Sequence, residues 1–410
     1  MSISAERIQA DIDAIAAFTE TTGAGATRPT FSPAWRAARD YVAQQLEAAG
    51  CRVRIDAAGN LRARPVAISF DTPAWMSGSH LDSVPHGGNF DGVVGVVAAL
   101  EVLRLSRESQ KAIPLELVVW AEEEGTTFNL GMLGSRAVAG SISHDQLASV
   151  NNAAGQNYFA AGADHGVVSD KIAADRILPG KCVGLIEVHV EQGPGLWNDD
   201  AALAIVTAVA GRRQYSCTLI GTANHAGATS MEDRLDALAG AAEIIHALER
   251  LARELAHHTV ITVGQISCRP NAINVIPEEV TFTIDFRSPS TEILARGDVM
   301  IQNLVNKVSE SRRLMVSLQV NESQPAVEFD KRVCERLSKA ALKCVGHDLP
   351  HTVSGALHDA VILAPIVPTA MLFVASRDGI SHNADEFSKI EDITAAATIL
   401  AEACRNRTLD

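Results

Sequence analysis

The sequence has no paired cysteines. Seven of them, an odd number, stand singly at Cys51, Cys182, Cys217, Cys268, Cys334, Cys344 and Cys404, with no CxxC. That usage points to reduced thiols in a cytoplasmic protein. Positive charge is also scarce: 35 Lys and Arg against 49 Asp and Glu leave a net charge of −14. Nucleic acid and anionic membranes are bound mainly through Lys and Arg, so neither is expected as a partner. No apolar run approaches the roughly 20 residues of a membrane span. The N-terminus runs straight into a charged amphipathic pattern, and no signal peptide is expected. Internal repeats and low-complexity segments are absent.

What is present is a soluble globular composition, 47% apolar and 20% charged over 410 residues. That length exceeds one ordinary core and implies two domains. The most informative stretch is Gly78-Ser-His80-Leu-Asp82, followed by His86-Gly-Gly88-Asn-Phe-Asp91-Gly92. It reads as a glycine-rich turn between a strand ending near residue 76 and a helix over 92–105, at the sheet edge where α/β enzymes place ligands. His-x-Asp also suits a metal site, where a carboxylate fixes the tautomer of a ligating imidazole.

Elsewhere the first half predicts helices over 8–18 and 33–49 and a hairpin over 52–64. A buried strand over 114–120 runs into Glu122-Glu123-Glu124, three carboxylates whose repulsion needs a positive offset. Residues 141–180 carry no readable pattern. A strand from Cys182 holds Glu187, His189 and Glu191 at alternate positions, hence on one face.

From residue 212 to 325 the pattern reads strand, helix, two strands, helix, strand: an α+β sandwich inserted as a lid. Residues 321–325 are read as its return hinge. The catalytic domain is then 1–211 plus 326–410. The fold expected is α/β, a larger mixed-sheet three-layer domain with an inserted α+β lid and dimerisation domain.

Seven polar residues lie at predicted strand ends: His80, Asp82, Asp91, Glu123, Glu124, His189 and His382. Imidazoles and carboxylates are the ligands of zinc and its first-row neighbours. Seven exceed the need of one ion and suit two cations roughly 3.5–4 Å apart sharing a carboxylate. Any one alone is an ordinary capping or surface side chain; their shared position at one sheet edge argues otherwise.

These motifs, with Glu187-Val-His189-Val-Glu-Gln192-Gly-Pro, Asn224-His225-Ala-Gly, Arg269-Pro-Asn271-Ala-Ile-Asn274, Asp285-Phe-Arg287 and Gly379-Ile-Ser-His382-Asn, resemble the amidase/hydantoinase/carbamoylase family of dinuclear metallopeptidase-like enzymes. N-carbamoyl-L-amino acid hydrolases, β-ureidopropionases and allantoate amidohydrolases make up that group. The resemblance implies one metal on His80, Asp91 and His189, and a second on Asp91, Glu124 and His382, the ions being zinc, manganese, cobalt or nickel. It implies Asp82 orienting His80, Glu123 as general base, and His225 polarising the scissile carbonyl, often from the partner of a homodimer. Gln192, Arg213, Asn274, Arg287 and Gly355 would take the substrate carboxylate. Glu122 is left as a support or a solvated residue.

His86, His144, His165 and the pair His257–His258 have no motif and read as surface. Trp75, Trp120 and Trp197 read as core or rim packing.

Two departures bear on the substrate: Leu357 stands where the family has a second glycine in Ser-Gly-Ala-Gly-His-Asp, and Ser230 lies where Thr-Thr-Pro is commoner. The implied activity is hydrolysis of an N-carbamoyl (ureido) acid. The alternatives are an N-acyl-L-amino acid amidohydrolase and an inactive metal-binding relative, the last disfavoured by an intact Glu123.

Overall fold

Period-two apolar runs and glycine-rich turns give a succession of strands. The computed structural model describes residues 2–409 apart from 24 and 257. In chain order the strands are β1 Cys51–Ile55, β2 Leu61–Pro65, β3 Ala74–His80, β4 Leu115–Trp120, β5 Cys182–Val190, β6 Leu203–Val209, β7 Gly211–Ile220, β8 Val260–Thr262, β9 Ile266–Arg269, β10 Glu279–Ser288, β11 Met315–Gln324, β12 Val327–Glu328, β13 His351–Ser354 and β14 Thr369–Val374. The chain forms two compact units. One holds the residues through Thr207, Phe329–Thr352 and those from Leu357 on; the other holds Ala208–Glu328 and Val353–Ala356.

The first unit is built on a mixed sheet ordered β1-β2-β4-β3-β5-β14-β6. Its central four strands are parallel: β3 pairs β4 and β5, and β5 pairs β14. Helix Val93–Glu108 packs on β3, and helix Ile390–Ala403 packs on both that helix and β14. Val93 to Leu103 are all buried. Apart from Glu101, whose charge Arg7 meets, this stretch is apolar all round and belongs inside a core. The α/β class with a large mixed sheet is as the sequence predicts.

The second unit is an antiparallel sheet ordered β11-β7-β10-β8, with β9 also on β10. Along β10 every second residue is buried, from Val280 to Ser288. Val280, Phe282, Ile284 and Phe286 thus join the core with helices Ala237–Leu255 and Thr291–Ser311. Thr283, Asp285 and Arg287 stand on the other face of the sheet.

Three local readings need correction. The strand that follows the first lid helix in the sequence pattern, read over 259–268, is two short strands, β8 and β9, both paired to β10 on either side of Gly264. The expected hinge at 321–325 is mostly strand, because β11 absorbs a bulge between Val320 and Glu322 and continues to Gln324. The patternless segment 141–180 folds into short helical turns anchored by buried Tyr158, whose hydroxyl donates to the Ala58 carbonyl at 2.7 Å.

One buried ion cluster stabilises the edge of the large sheet. Glu116 of β4 takes hydrogen bonds from both Arg62 and Arg64 of β2, and all three are buried. Removing one member of a buried pair strands its partners without compensation. Glu116→Ala is expected to lose about 3–5 kcal/mol in urea unfolding. A loss below about 1 kcal/mol would mark the cluster as no better than an exposed pair.

Candidate metal centre

Parallel strands put all their carboxyl ends on one edge, and the candidate site is built there. His80 is the last residue of β3, opposite Trp120 of β4. His189 lies inside β5, opposite Phe373 of β14, and not past the strand end as the sequence suggested. The loops leaving β3, β4, β5 and β14 carry Asp82 and Asp91, Glu122 to Glu124, Gln192, and His382. Gly92 is required locally. Its φ is +68°, and a Cβ there would lie 2.6 Å from the His80 ring.

Asp91 is the centre of the group. Its Oδ1 lies 3.1 Å from His189 Nε2 and 3.6 Å from His80 Nε2. Its Oδ2 lies 3.1 Å from His382 Nε2. His382 Nε2 is also 3.5 Å from Glu124 Oε2, and His80 Nε2 is 3.8 Å from Glu123 Oε2. Within the first unit two trios therefore converge, His80–Asp91–His189 and Asp91–Glu124–His382, each with its ligand atoms within 4.8 Å of one another.

Tautomers decide what this arrangement can hold. His80 Nδ1 is 2.9 Å from the Asp82 carbonyl, and His189 Nδ1 is 2.9 Å from the Val190 carbonyl. A carbonyl only accepts, so each Nδ1 carries the proton and each neutral ring turns an Nε2 lone pair outward. Those lone pairs face Asp91 Oδ1, another acceptor. Asp91 Oδ1 and His189 Nε2 are both buried without a hydrogen-bond partner. Acceptors aimed at one another in a buried site are the signature of a shared cation, and this donor set suits a divalent first-row ion. Asp82 engages His80 through its main-chain oxygen; its carboxylate accepts from the Glu124 N–H at 3.0 Å, with its other oxygen 3.8 Å from His80 Nδ1.

Without a cation, protons hold the site together. Burial would raise Asp91, but the close imidazoles of His189, His382 and His80 hold it well below the carboxylate range. Burial would lower His80, yet Glu123, Asp91 and Asp82 outweigh it and raise the ring well above its ordinary value. His382 is raised to about 9, first by its hydrogen bond to Asp91. Burial, then the Asp91 charge, pushes Glu124 up to about 7.

The residues of the second unit are held within it. Arg287 donates to Asp285 at 2.8 Å and to the Gly355 carbonyl at 3.1 Å, on the wall of a groove of about 920 Å³. Arg213 is engaged by Asp298 at 3.3 Å and the Gln324 carbonyl at 3.0 Å. His225 Nδ1 accepts from the Gly227 N–H at 3.0 Å, and the Asn274 carbonyl accepts from the Ala226 N–H at 3.0 Å. In the first unit, Gln192 Nε2 donates to Asp91 Oδ2 at 2.9 Å.

Several polar residues differ from the sequence reading. Glu122 is not solvated: it is fully buried, and one oxygen accepts from the N–H groups of Thr127 and Phe128, both at 2.8 Å. Glu191 leaves the face of Glu187 and His189 to accept from the Leu196 N–H at 2.9 Å. His165 packs on Phe31 and Trp35 and is half-buried rather than a freely exposed residue. His257 lies outside the described residues. Trp75 and Trp120 are core, and Trp197 is half-buried under Lys389. Unforeseen were buried Arg28, which donates to the carbonyls of Leu81 and Phe18, and Glu386, which grips the Asp91 backbone.

An ion must displace the protons that His382 and Glu124 hold. The raised His382 pKa stabilises the ion-free fold below the ordinary histidine value of 6.5 and loses that contribution as pH climbs through about 9. Ion binding is therefore expected to release protons, with affinity rising from pH 6 to about 9. Chelator competition across that range, with an indicator for released protons, reads this directly; an affinity flat with pH would contradict it.

Comparison with known proteins agrees with this geometry. Residues 76–406 match the model of peptidase family M20/M25/M40. The chain is 38% identical over 381 residues to the N-carbamoyl-L-amino acid amidohydrolase of Geobacillus stearothermophilus, covering 92% of each protein. It is 31% identical over 402 residues to the allantoate amidohydrolase of Escherichia coli (strain K12), covering 97% of this chain and 96% of that one. The crystal structure of an amidase of the hydantoinase/carbamoylase family from Burkholderia multivorans matches with a TM-score of 0.92 at 32% identity, over 100% of this chain and 99% of that chain. With the site residues gathered at the edge of the large sheet, the chain belongs to peptidase family M20/M25/M40, among its hydantoinase/carbamoylase amidases.

Proposed function

We propose that this chain is a metal-dependent amidohydrolase that cleaves the carbamoyl C–N bond of an N-carbamoyl (ureido) L-amino acid or a related ureido acid such as allantoate. With an N-carbamoyl amino acid the products are ammonia, carbon dioxide and the free amino acid. The observation that carries this reading is the convergence of acceptor atoms on buried Asp91, with Glu123 alongside. His80, Asp91 and His189 would hold one divalent ion, and Asp91, Glu124 and His382 a second, in the zinc, manganese, cobalt and nickel range. Such ions, when bound, polarise a carbonyl and acidify water.

Glu123 is the proton carrier in this reading. Burial, then the charges of Glu124, Asp359 and Asp91, raises its pKa well above the carboxylate range despite His80. Deprotonated beside the ions, its carboxylate takes a proton from water and returns it to the leaving nitrogen. Asp82 fixes the His80 ring through its main-chain oxygen. Arg287 clamps the substrate carboxylate with the planar fork that suits it, helped by Gln192, Asn274 and Gly355. Arg213, which pairs across from buried Phe286 and binds Asp298, is on the helix-packed face of the sheet and is not part of this clamp. Asp285 accepts from Nε and Nη2 of Arg287 and orients the fork. His225 polarises the scissile carbonyl, supplied by the partner of a homodimer. The protein works in the cytoplasm, in keeping with its seven unpaired cysteines. Among the described residues no helix is long and apolar enough to cross a membrane.

A second reading, hydrolysis of N-acyl-L-amino acids, is favoured by Leu357 in the Ser354-Gly-Ala-Leu357-His358 loop, where a side chain replaces a glycine's open space.

A substrate panel separates the two. Metal-loaded protein is given N-carbamoyl, N-acetyl and longer N-acyl L-amino acids and allantoate, with ammonia and free amine assayed separately. The ureido acids are expected to give the highest kcat/KM, and faster release from N-acyl substrates would favour the second reading. Glu123→Gln should lower kcat by about 10²–10⁴-fold with KM and metal content nearly unchanged. Near-normal turnover in that variant would remove Glu123 from the role of base.

A further inference from the structure

Glu386 is a buried carboxylate of the first unit, beside the metal centre, that the mechanism does not use. It lies four residues after His382 and is 5% exposed. Its Oε2 accepts the main-chain N–H groups of Phe90 and Asp91 at 2.8 and 3.0 Å. Its Oε1 accepts the Ser381 hydroxyl at 2.7 Å, and Ser381 also reaches Asp91 Oδ2 at 3.4 Å. One side chain thus ties the backbone carrying Asp91 to the residue preceding His382, across 295 positions of sequence. Packing has been arranged around it. A Cβ on Gly88 would stand 2.0 Å from Glu386 Oε2, so glycine is needed for the carboxylate to reach the two N–H groups. Phe387 closes on Phe90 at 5.8 Å between ring centroids, edge to face.

Scaffolding alone does not explain the charge. A neutral amide oxygen could accept both N–H groups and an adjoining amine could meet the Ser381 oxygen, at lower desolvation cost. A second buried carboxylate beside Asp91 is instead matched to a site that gathers positive charge. His382, at 46% side-chain exposure and with φ of +54°, has little packing of its own to fix it.

We propose that Glu386 is a positioning residue. It sets Asp91 and His382 at the spacing the second cation requires, acting through the Asp91 N–H and through Ser381, without touching substrate. The inference rests on the metal reading above and names how the two halves of that site are locked in register.

The test is ion affinity measured apart from turnover. Wild type, Glu386→Ala, Glu386→Gln and Ser381→Ala are titrated with zinc or manganese against a chromophoric chelator, with folding followed by circular dichroism. Loss of supporting contacts around metal ligands typically costs about 10–100-fold in affinity. Glu386→Ala is expected to lose that much at the weaker ion, Glu386→Gln several-fold, and Ser381→Ala less. Excess metal should restore kcat of Glu386→Ala with KM close to wild type. Wild-type ion affinity in folded Glu386→Ala would overturn the inference, and so would lost turnover at full metal content that excess metal does not restore. Should Glu386→Ala fail to fold, Glu386→Gln decides: unchanged affinity and kcat overturn the inference, weakened binding supports it. Wild type that binds no ion would instead overturn the metal reading itself.

Discussion

A buried carboxylate surrounded by other acceptors is the constraint on which the rest of this molecule depends. Asp91 is 7% exposed, and its Oδ1 faces imidazole nitrogens whose protons are committed elsewhere. The penalty for burying such a charge is several kcal/mol. Gln192 Nε2 donates to Oδ2, and at Oδ1 positive charge offsets the penalty. Protonated imidazoles do so without an ion, as the raised His80 and His382 and the depressed Asp91 indicate. Cations at the two trios would do so with the rings neutral. The fold serves this point: parallel strands bring distant ligands to one edge, and Gly92 leaves room for the His80 ring.

The run Glu122-Glu123-Glu124 is tolerable because the backbone sends its three carboxylates to different places. Glu122, at φ +59°, turns inward and is satisfied by two main-chain N–H groups. Glu123 faces His80, and Glu124 faces His382. A left-handed non-glycine residue carries strain of about 1–3 kcal/mol. Glu122, Gln192 and His382 all have it, and all lie at this one edge.

Much of this was legible in the sequence because it follows from period and punctuation. Alternation along β10 and the helical stripe of Thr291–Ser311 are local signals, and each formed as expected. The glycine-rich turn between β3 and its helix announced the edge. What was not legible depends on non-local contacts. Nothing in Asp385-Glu386-Phe tells that Glu386 reaches back to Phe90 and Asp91. Glu122 looks like its two neighbours in the sequence, and only a positive φ separates it. Nothing in Thr27-Arg28-Pro29 tells that three carbonyls wrap around Arg28. The bulge in β11 has no sequence signature, so the strand ran past its expected end.

The claim that Asp91 is shared between two cations is tested most directly by counting ions. Metal content per chain, by elemental analysis after saturation and gel filtration, should be about two in wild type. His382→Ala should hold about one, since His80 and His189 keep their trio with Asp91. Asp91→Ala should hold none, because both trios lose their common member. Retention of one tightly held ion in Asp91→Ala, or a single ion in wild type at saturation, would contradict the account.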